Sequence, residues 1–138
     1  MLIGISGKKR TGKDTVGAMV VEWLSEHGFD AARVAFADQL KEEVARATGV
    51  SLEQIESDKV RWRPILQWWG VEFRRHYFGQ DYWVSKMTQK LLAMDEDVAV
   101  VTDVRFRDEA DFIRASGGFV VRVKRETGLQ DGHRSETD

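Results

Sequence analysis

The sequence predicts an α/β fold in which a parallel β-sheet is covered by helices on both faces. Short apolar runs typical of buried strands alternate with longer segments of helical periodicity, and a glycine-rich turn follows the first run. Strands that are linked mainly by helices imply a parallel sheet with right-handed crossovers. Ligands of such sheets bind at the carboxyl ends of the strands, so the residues that follow each strand are the first candidates for a site.

The first half of the chain predicts the order βαβα. Residues 2–6 form a short apolar run before the glycine-rich turn, and residues 33–36 form a second strand. Gly28 is placed to end the first helix and Gly49 the second, because glycine readily adopts the left-handed conformation. Apolar residues three and four positions apart predict the two helices, namely Val16, Val20, Trp23, Leu24 and His27 in the first and Leu40, Val44 and Ala47 in the second.

The second half predicts a long helical stretch followed by a strand, a helix and a last strand. Residues 61–94 have a helical pattern throughout, with a break at Gly79 and Asp81. Residues 97–102 form a continuous β-branched run, which indicates a central strand, and residues 119–123 form the fourth strand. The helical stretch carries two apolar stripes, which are Ile65, Trp69, Phe73 and Tyr77, and then Trp83, Met87, Leu91 and Met94.

Composition limits the classes of function. A chain of 138 residues with 42% hydrophobic content suffices for one globular domain, so residues 1–138 are predicted to form a single domain. The net charge of −2 gives no overall basic field, and no nucleic-acid polymer is expected as a partner. The absence of cysteine excludes disulfides and thiolate metal sites. No apolar run approaches the ~20 residues that span a bilayer and no signal-peptide pattern is seen, so a cytoplasmic protein without a membrane partner is expected.

The strongest chemical signal follows the first predicted strand. Residues 7–13, Gly-Lys-Lys-Arg-Thr-Gly-Lys, fit the G-x-x-x-x-G-K pattern (Walker A) of a loop that holds nucleotide phosphates. Its glycines let backbone N–H groups turn toward a triphosphate, the next helix adds its positive end, and Lys13 reaches the β- and γ-phosphates. An ordinary strand-to-helix turn with a solvated Lys13 is the alternative. The candidate nucleotide-binding residues are Gly7, Lys8, Arg10, Thr11, Gly12, Lys13, Asp14 and Thr15.

One position of this loop departs from the usual pattern. Asp14 stands where Ser or Thr is usual, and Thr15 comes one residue later. A carboxylate ligates Mg²⁺ directly or through a bound water, and the Thr15 hydroxyl would bond the α-phosphate. Asp14, Thr15 and Asp103 are therefore the candidate Mg²⁺ ligands.

A second signal follows the central strand. Asp103 comes directly after the apolar run, where an acid of the Walker B type approaches the magnesium ion or the reacting phosphate. Arg105 is predicted at the same edge of the sheet, where a guanidinium can hold a phosphate bidentately. The alternatives are that Asp103 caps the next helix and that Arg105 forms a salt bridge with Asp108 or Glu109.

Five motifs in order along the whole chain resemble the phage-type deoxynucleoside monophosphate kinases of the P-loop kinase superfamily. They are Gly-Lys-Lys-Arg-Thr-Gly-Lys-Asp-Thr at 7–15, Phe-Ala-Asp-Gln-Leu-Lys at 36–41, Leu-Gln-Trp-Trp-Gly at 66–70, Thr-Asp-Val-Arg-Phe at 102–106 with Glu109, and His-Arg-Ser-Glu at 133–136. The resemblance implies a three-layer P-loop kinase fold with a helical acceptor-binding insertion. It also implies transfer of the γ-phosphoryl group of ATP, with Mg²⁺, to a deoxynucleoside monophosphate in the cytoplasm, which is the host cytoplasm if the protein is viral.

Other readings remain open. Animal phosphomevalonate kinases have a similar G-K-D loop, and dephospho-coenzyme A kinases share the general architecture. A P-loop ATPase and a nucleotide-binding module without catalysis are alternatives of other classes. The bases that are accepted, the preference for ribose or deoxyribose, and a homodimer also stay open.

The chain departs from the family pattern in two places. Asp108 stands where the family usually has Asn, and this leaves the role of Asp108 undecided. Family members normally continue past the His-x-Ser-Glu segment into another strand and helix, with a loop that contacts the base, whereas this sequence stops at Asp138. Either the sequence is a fragment or its adenine pocket is completed in another way, and the sheet is expected to be one strand short.

The acceptor is expected on residues 37–95. Asp38, after the second strand, is assigned to positioning or to a metal-bound water, with a helix cap as its alternative. Arginines on the insertion would offset the repulsion between two phosphates, with a solvated helix face as their alternative. The candidate substrate-binding residues are Asp38, Lys41, Arg63, Gln67, Arg74, Arg75, Asp103, Arg105 and Glu109. The candidate catalytic residues are Lys13, Asp14, Asp38 and Arg105.

The last segment and the aromatic residues complete the prediction. Residues 124–136 resemble a lid with basic residues that bind phosphate, whose candidate members are Lys124, Arg125, His133 and Ser135. His133 has an exposed loop histidine as its alternative, and no zinc site is expected. Trp69 is expected in the core, whereas Trp68 and Tyr77 remain candidates for stacking on a base.

Overall fold

A computed structural model describes residues 1–8 and 11–124 of the chain. In these residues the β-strands are β1 Leu2–Gly7, β2 Ala31–Val34, β3 Val98–Val104 and β4 Phe119–Val123. The α-helices are α1 Lys13–Glu26, α2 Phe36–Thr48, α3 Leu52–Ser57, α4 Lys59–Gln67, α5 His76–Phe78, α6 Tyr82–Leu92 and α7 Arg107–Ala115, and a π-helical segment, Trp68–Arg75, joins α4 to α5. The chain divides into a sheet unit, Met1–Val34 with Asp95–Asp138, and a helical unit, Ala35–Met94.

The sheet unit contains a parallel sheet in the order β2-β3-β1-β4. From β1 the chain crosses past the position of β3 to the edge strand β2. From β3 it later crosses past β1 to the opposite edge strand, β4. The strand order therefore reverses between β1 and β3. Ser6 of β1 is the register partner of Val104 of β3, which brings the carboxyl ends of these two strands together. Such a reversal forms a crevice in which ligands of open α/β sheets bind.

Helix α1 covers one face of the sheet. Ile3 and Ile5 of β1 and Val98 and Val100 of β3 form a buried core, against which apolar residues of α1 pack. Gly17 allows the close approach of α1 to β3, because a Cβ atom there would overlap the Thr102 methyl group.

Helix α7 covers the opposite face. Gly4 lies on the sheet face opposite to that of Ile3 and Ile5, because successive residues of a strand face opposite sides. A Cβ atom at Gly4 would lie 2.5 Å from Cδ1 of the buried Ile113 of α7. Helices on both faces of a parallel sheet confirm the predicted three-layer α/β fold.

The helical unit has its own core. Val44 of α2, Ile55 of α3 and Trp62 of α4 form a buried cluster, with Trp69 among the residues that pack against it. This position confirms the prediction that Trp69 belongs to the core. The predicted stripe of α6 is also found, because Trp83 and Met87 are buried.

Three local predictions were wrong. Phe36 begins α2 instead of ending β2, and β3 continues through Val104. Trp23 was predicted on the buried face of α1, but it is 55% exposed and stacks on His27, with 4.0 Å between the ring centroids. The buried face of α1 is narrower than predicted, since the residues that reach the core are Val16, Val20, Val21 and Leu24.

Candidate active site

The loop after β1 is closed by contacts of its own residues. Both the backbone N–H and the hydroxyl of Thr11 donate to the Lys8 carbonyl, at 3.3 and 2.7 Å. Gly7 has a φ of 151°, and a Cβ atom there would lie 2.7 Å from the Val123 carbonyl oxygen. The position therefore requires glycine for both its conformation and its space.

Helix α1 begins directly after this loop without a side-chain cap. Gly12 is its N-cap residue with a φ of 87°, and it has no side chain to accept from the first-turn N–H groups. A Cβ atom at Gly12 would meet no atom of the described residues within 4 Å. Open space thus lies beside Gly12, at a helix N-terminus, an arrangement that suits an anionic phosphate.

Lys13 lies at the centre of a group of charges. Its Nζ atom donates to the Gly7 carbonyl at 2.7 Å. Burial lowers the pKa of Lys13 and the nearby Arg105 guanidinium lowers it further, whereas the Asp103 and Asp14 carboxylates act in the opposite direction. The structure therefore brings four of the predicted residues together at the carboxyl ends of β1 and β3.

Asp14 and Thr15 lie on the first turn of α1 and are exposed. Arg33 Nη2 lies 3.6 Å from Asp14 Oδ1, and the Asp14 side chain is 81% exposed. The sequence analysis missed Arg33. The signal was a lone charged residue within the Ala-Ala-Arg-Val run of β2.

The turn after β3 is held by Glu109 of α7. Its Oε1 atom accepts from the backbone N–H groups of Arg105 and Phe106, at 2.8 and 3.0 Å. Because Phe106 is the N-cap residue of α7, the capping alternative for Asp103, which lies within β3, is wrong. The Arg105 guanidinium lies over the Phe106 ring, 5.7 Å from its centroid.

Glu109 differs from its predicted role in substrate binding. Glu109 is only 3% exposed, and its carboxylate accepts from the backbone of the turn. The pKa of Glu109 is raised to about 7, chiefly by burial and also by the charges of Asp103 and Asp108, although the hydrogen bonds from the two backbone N–H groups lower it. Glu109 therefore positions the turn that carries Arg105.

The residues predicted for the acceptor lie in the helical unit, except Asp103, Arg105 and Glu109. Asp38 lies in the first turn of α2, whose N-cap residue is Ala35. Lys41 forms an ion pair with Glu56, with Nζ 2.5 Å from Oε1. Arg63 and Gln67 are exposed and lie four residues apart on α4, so they share one side of that helix.

Arg74 is enclosed rather than directed at a ligand. Its guanidinium carbon lies 4.7 to 4.8 Å from the ring centroids of Phe73, Phe78 and Tyr82, and its Nε atom donates to Glu43. A cation within aromatic rings and paired with a carboxylate is a packing element of the helical unit. The structure therefore gives Arg74 a packing role, and substrate binding by Arg74 stays a prediction.

Glu43 is the acceptor at the centre of this cluster, and the sequence analysis missed it. It also accepts from Trp69 Nε1 at 2.7 Å and from the Tyr82 hydroxyl at 2.6 Å. Burial alone would raise the pKa of Glu43, but the hydrogen bonds from Trp69, Tyr82 and Arg74 hold it below its usual value. Burial and the Glu43 carboxylate together raise the pKa of Tyr82 to about 12.

The π-helical segment explains why Arg74 and Arg75 do not continue the face of Arg63 and Gln67. In this winding, residues five apart come together, as the parallel stack of Trp68 on Phe73 shows, with 5.4 Å between centroids. Arg75 is 7% exposed, and its Nη2 atom donates to Gln80 Oε1 at 2.9 Å.

Except for Arg10 of the loop after β1, the remaining predicted residues follow β4 along the sequence. Lys124 is exposed directly after β4, whose last residue pairs with Gly7. Outside the described residues lie Arg10, Arg125, His133 and Ser135. Among residues 1–8 and 11–124, no three His, Asp or Glu side chains group closely enough to hold a metal ion. No helix of this part of the chain has the length and apolarity to cross a membrane.

A parallel sheet, a glycine-bounded loop after its first strand and a lysine that opens the next helix define a P-loop kinase fold. A family model described as phosphomevalonate kinase matches residues 5–118, and the chain belongs to this family of phosphotransferases.

Two viral proteins are similar to the chain. A protein of Acanthamoeba polyphaga mimivirus, provisionally named a deoxynucleotide monophosphate kinase, is 29% identical over 165 aligned positions, which cover 100% of this chain and 81% of that protein. The deoxynucleoside-5'-monophosphate kinase of Escherichia phage T5 is 30% identical over 83 residues, which are 54% of this chain and 33% of that protein. The resemblance to viral deoxynucleoside monophosphate kinases is thereby confirmed.

Proposed function

We propose that the protein transfers the γ-phosphoryl group of ATP to a deoxynucleoside monophosphate and so forms the diphosphate. The observation that carries the proposal is the grouping of Lys13, Asp14, Asp103 and Arg105 at the strand ends, beside the uncapped start of α1. Both viral relatives have names that specify a deoxynucleotide monophosphate as the acceptor.

In the proposed reaction, an oxygen of the acceptor phosphate attacks the γ-phosphorus and the bond from that phosphorus to the β,γ-bridging oxygen breaks, which leaves ADP. The loop amides and Lys13 hold the donor, while Arg105 offsets charge on the transferring group. Little proton transfer is needed, since the attacking group is already an anion. Positioning is therefore the main task that remains for side chains such as Asp38, Arg63 and Gln67.

The residues at the sheet edge fit a magnesium ion. The carboxylates of Asp14 and Asp103 both lie near enough to Lys13 to raise its pKa. Carboxylate oxygens are ligands that Mg²⁺ prefers. These two residues would hold the ion, directly or through water. A Mg²⁺ ion held there would supply positive charge to offset that of the transferring phosphates.

Phosphomevalonate is the second candidate acceptor. The description of the matching family favours it. Its phosphate presents the same attacking oxygen as a nucleotide phosphate, so the loop and the arginine serve both reactions equally.

A cytoplasmic location, which is the host cytoplasm for a viral protein, and a homodimer stay predictions.

Labelled ATP, mixed with the protein and a panel of deoxynucleoside monophosphates and phosphomevalonate, tests the proposal. We expect label in a deoxynucleoside diphosphate. Lys13→Ala should lower kcat/KM by a factor equivalent to about 3 kcal/mol of transition-state stabilisation. Lys90→Ala, at an exposed lysine of α6, should leave it unchanged. Label in the phosphomevalonate product, or ADP formed equally fast without any acceptor, would contradict the proposal.

A further inference from the structure

Arg33 lies on the face of the sheet that α1 covers. Ala31, two residues before it in β2, packs against the buried core beneath α1. Because successive residues of a strand face opposite sides, Ala31 and Arg33 share that face. The edge strand β2 therefore directs a guanidinium toward the helix that follows the glycine-rich loop.

The Arg33 side chain reaches the first turn of α1. Its Nη2 atom lies 3.6 Å from Oδ1 of Asp14, and the side chains of Arg33 and Asp14 are 45% and 81% exposed. An ion pair this exposed contributes little to the stability of a fold. Asp14 directly follows Lys13, the last residue of the loop, so the pair lies where a ligand of the loop would feel its charges.

The carboxylate of Asp14 places a negative charge where a loop of this pattern usually has a neutral hydroxyl. This charge reaches Lys13, because it raises the pKa of the lysine. A field that stabilises an ammonium ion repels an anion at the same place. The phosphates of a nucleotide bound beside Lys13 would therefore be repelled by Asp14 unless a cation offsets its charge.

We propose that Arg33 is the counter-ion of Asp14 in the nucleotide site, where it offsets the carboxylate charge against the phosphates and competes with a divalent cation for the Asp14 oxygen. The proposal rests on the donor half of the proposed function, in which ATP and Mg²⁺ bind at the loop. With this partner, Asp14 has a compensating positive charge whether or not a metal ion is bound to it. Arg33 is thus a positioning residue, which acts on the ligands through Asp14.

The first test measures two affinities of Arg33→Ala that should change in opposite directions. Binding of ADP in the presence of EDTA, followed by calorimetry, should weaken about threefold, because the carboxylate then repels the phosphates without compensation. Binding of Mn²⁺ to the nucleotide-free protein, followed by electron paramagnetic resonance, should strengthen about threefold, because Asp14 is released from its partner. A purely structural role of the ion pair would weaken both. Unchanged affinities, or a fall in both, would overturn the proposal.

Two further variants control for charge and for location. Arg33→Lys keeps the positive charge and should hold both affinities within about twofold of the wild type. Arg114→Ala removes the same charge from another exposed ion pair of the sheet unit, in which Nη1 of Arg114 lies 3.7 Å from Oδ1 of Asp111. It should change neither affinity, and a response equal to that of Arg33→Ala would show a general effect of net charge and overturn the proposal.

The second test repeats Arg33→Ala in an Asp14→Asn background. No carboxylate is left to release, so the Mn²⁺ affinity should change less than about twofold at an ionic strength of about 0.15 M, where distant charges are screened. A gain as large as in the wild-type background would overturn the pairing.

The outcomes separate this proposal from the proposed function. If the wild type phosphorylates a deoxynucleoside monophosphate but Arg33→Ala leaves both affinities unchanged, the counter-ion proposal is wrong and the proposed function stands. If the wild type phosphorylates none, the proposed function is wrong, and opposite shifts of the ADP and Mn²⁺ affinities would still support the role of Arg33 in a nucleotide site.

Discussion

At the scale of single residues, Glu109 illustrates how burial changes the chemistry of a carboxyl group. Its side chain lies inside the sheet unit, and the turn that carries Arg105 depends on its two hydrogen bonds. The pKa of Glu109 is raised to about 7, chiefly by burial, from its ordinary value of 4.5. The unfolded chain therefore loses this proton at a lower pH than the folded chain does.

This difference predicts a pH dependence of stability. The contribution of Glu109 is fully present below its unfolded pKa and is lost as the pH rises through about 7. Glu109→Gln keeps an oxygen that accepts both N–H groups but does not titrate. The variant should therefore gain on the order of 3 kcal/mol relative to the wild type between about pH 4 and pH 8.

Urea unfolding of both proteins across this range measures the effect. Asp111→Asn is the control, because Asp111 lies exposed on the same helix and pairs with Arg114. A constant difference between wild type and Glu109→Gln at all pH values would contradict the prediction.

Sequence reasoning at this scale succeeded where neighbours along the chain set the environment. The loop that ends at Lys13 is such a case. The spacing of its residues alone predicts the positions of the two glycines, the start of the helix and the lysine ammonium group. Sequence reasoning could not find the environment of Arg74, whose partner Glu43 is 31 residues distant along the chain, or that of Glu109, whose burial depends on the packing of α7. Neither the pairing of Arg74 with Glu43 nor the burial of Glu109 can be inferred from local spacing.

At the scale of elements, the approach of α1 to β3 depends on Gly17. Gly17→Ala should destabilise the fold by about 1 to 3 kcal/mol, because the added methyl group overlaps the methyl group of Thr102. Thr102→Ser removes that methyl group, so it should cost less in the Gly17→Ala background than alone. A double-mutant cycle in urea measures this coupling. Strictly additive changes would show that the two residues do not meet.

The aromatic cluster around Arg74 makes a second prediction at this scale. Arg74→Ala leaves the Glu43 carboxylate without its cation and should cost about 3 kcal/mol of stability. The KM for the acceptor should change little. Arg63→Ala, at an exposed position, should stay within about 0.5 kcal/mol in stability and raise that KM. Thermal unfolding and steady-state kinetics distinguish the two, and the reverse pattern would contradict the account.

The strands and most helices could be predicted because their patterns are simple. Apolar β-branched runs and glycine-ended helices follow from local preferences. The π-helical segment could not be predicted, because the apolar pattern of residues 61–94 is compatible with a period of 3.6 residues throughout. Tyr77, which follows this segment and was predicted on one apolar stripe with Trp69, is exposed.

At the scale of the whole molecule, the proposed function rests on a local concentration of charge in a chain whose overall charge is −2. The strand order puts the ends of β1 and β3 side by side, and this brings the loop and the Asp103–Arg105 turn together. Composition alone could exclude an overall basic field, but only the topology shows where the charges meet. The acceptor lies beyond what topology decides, since the matching family and the phage relative have names that specify different acceptors.

The most direct test is a crystal structure with Mg²⁺ and a non-hydrolysable ATP analogue. We expect the triphosphate within the loop of residues 7–13, held by backbone N–H groups, and we expect Lys13 Nζ to exchange its present bond to the Gly7 carbonyl for a phosphate oxygen. An intact fold with the nucleotide bound elsewhere and this loop empty would contradict the account.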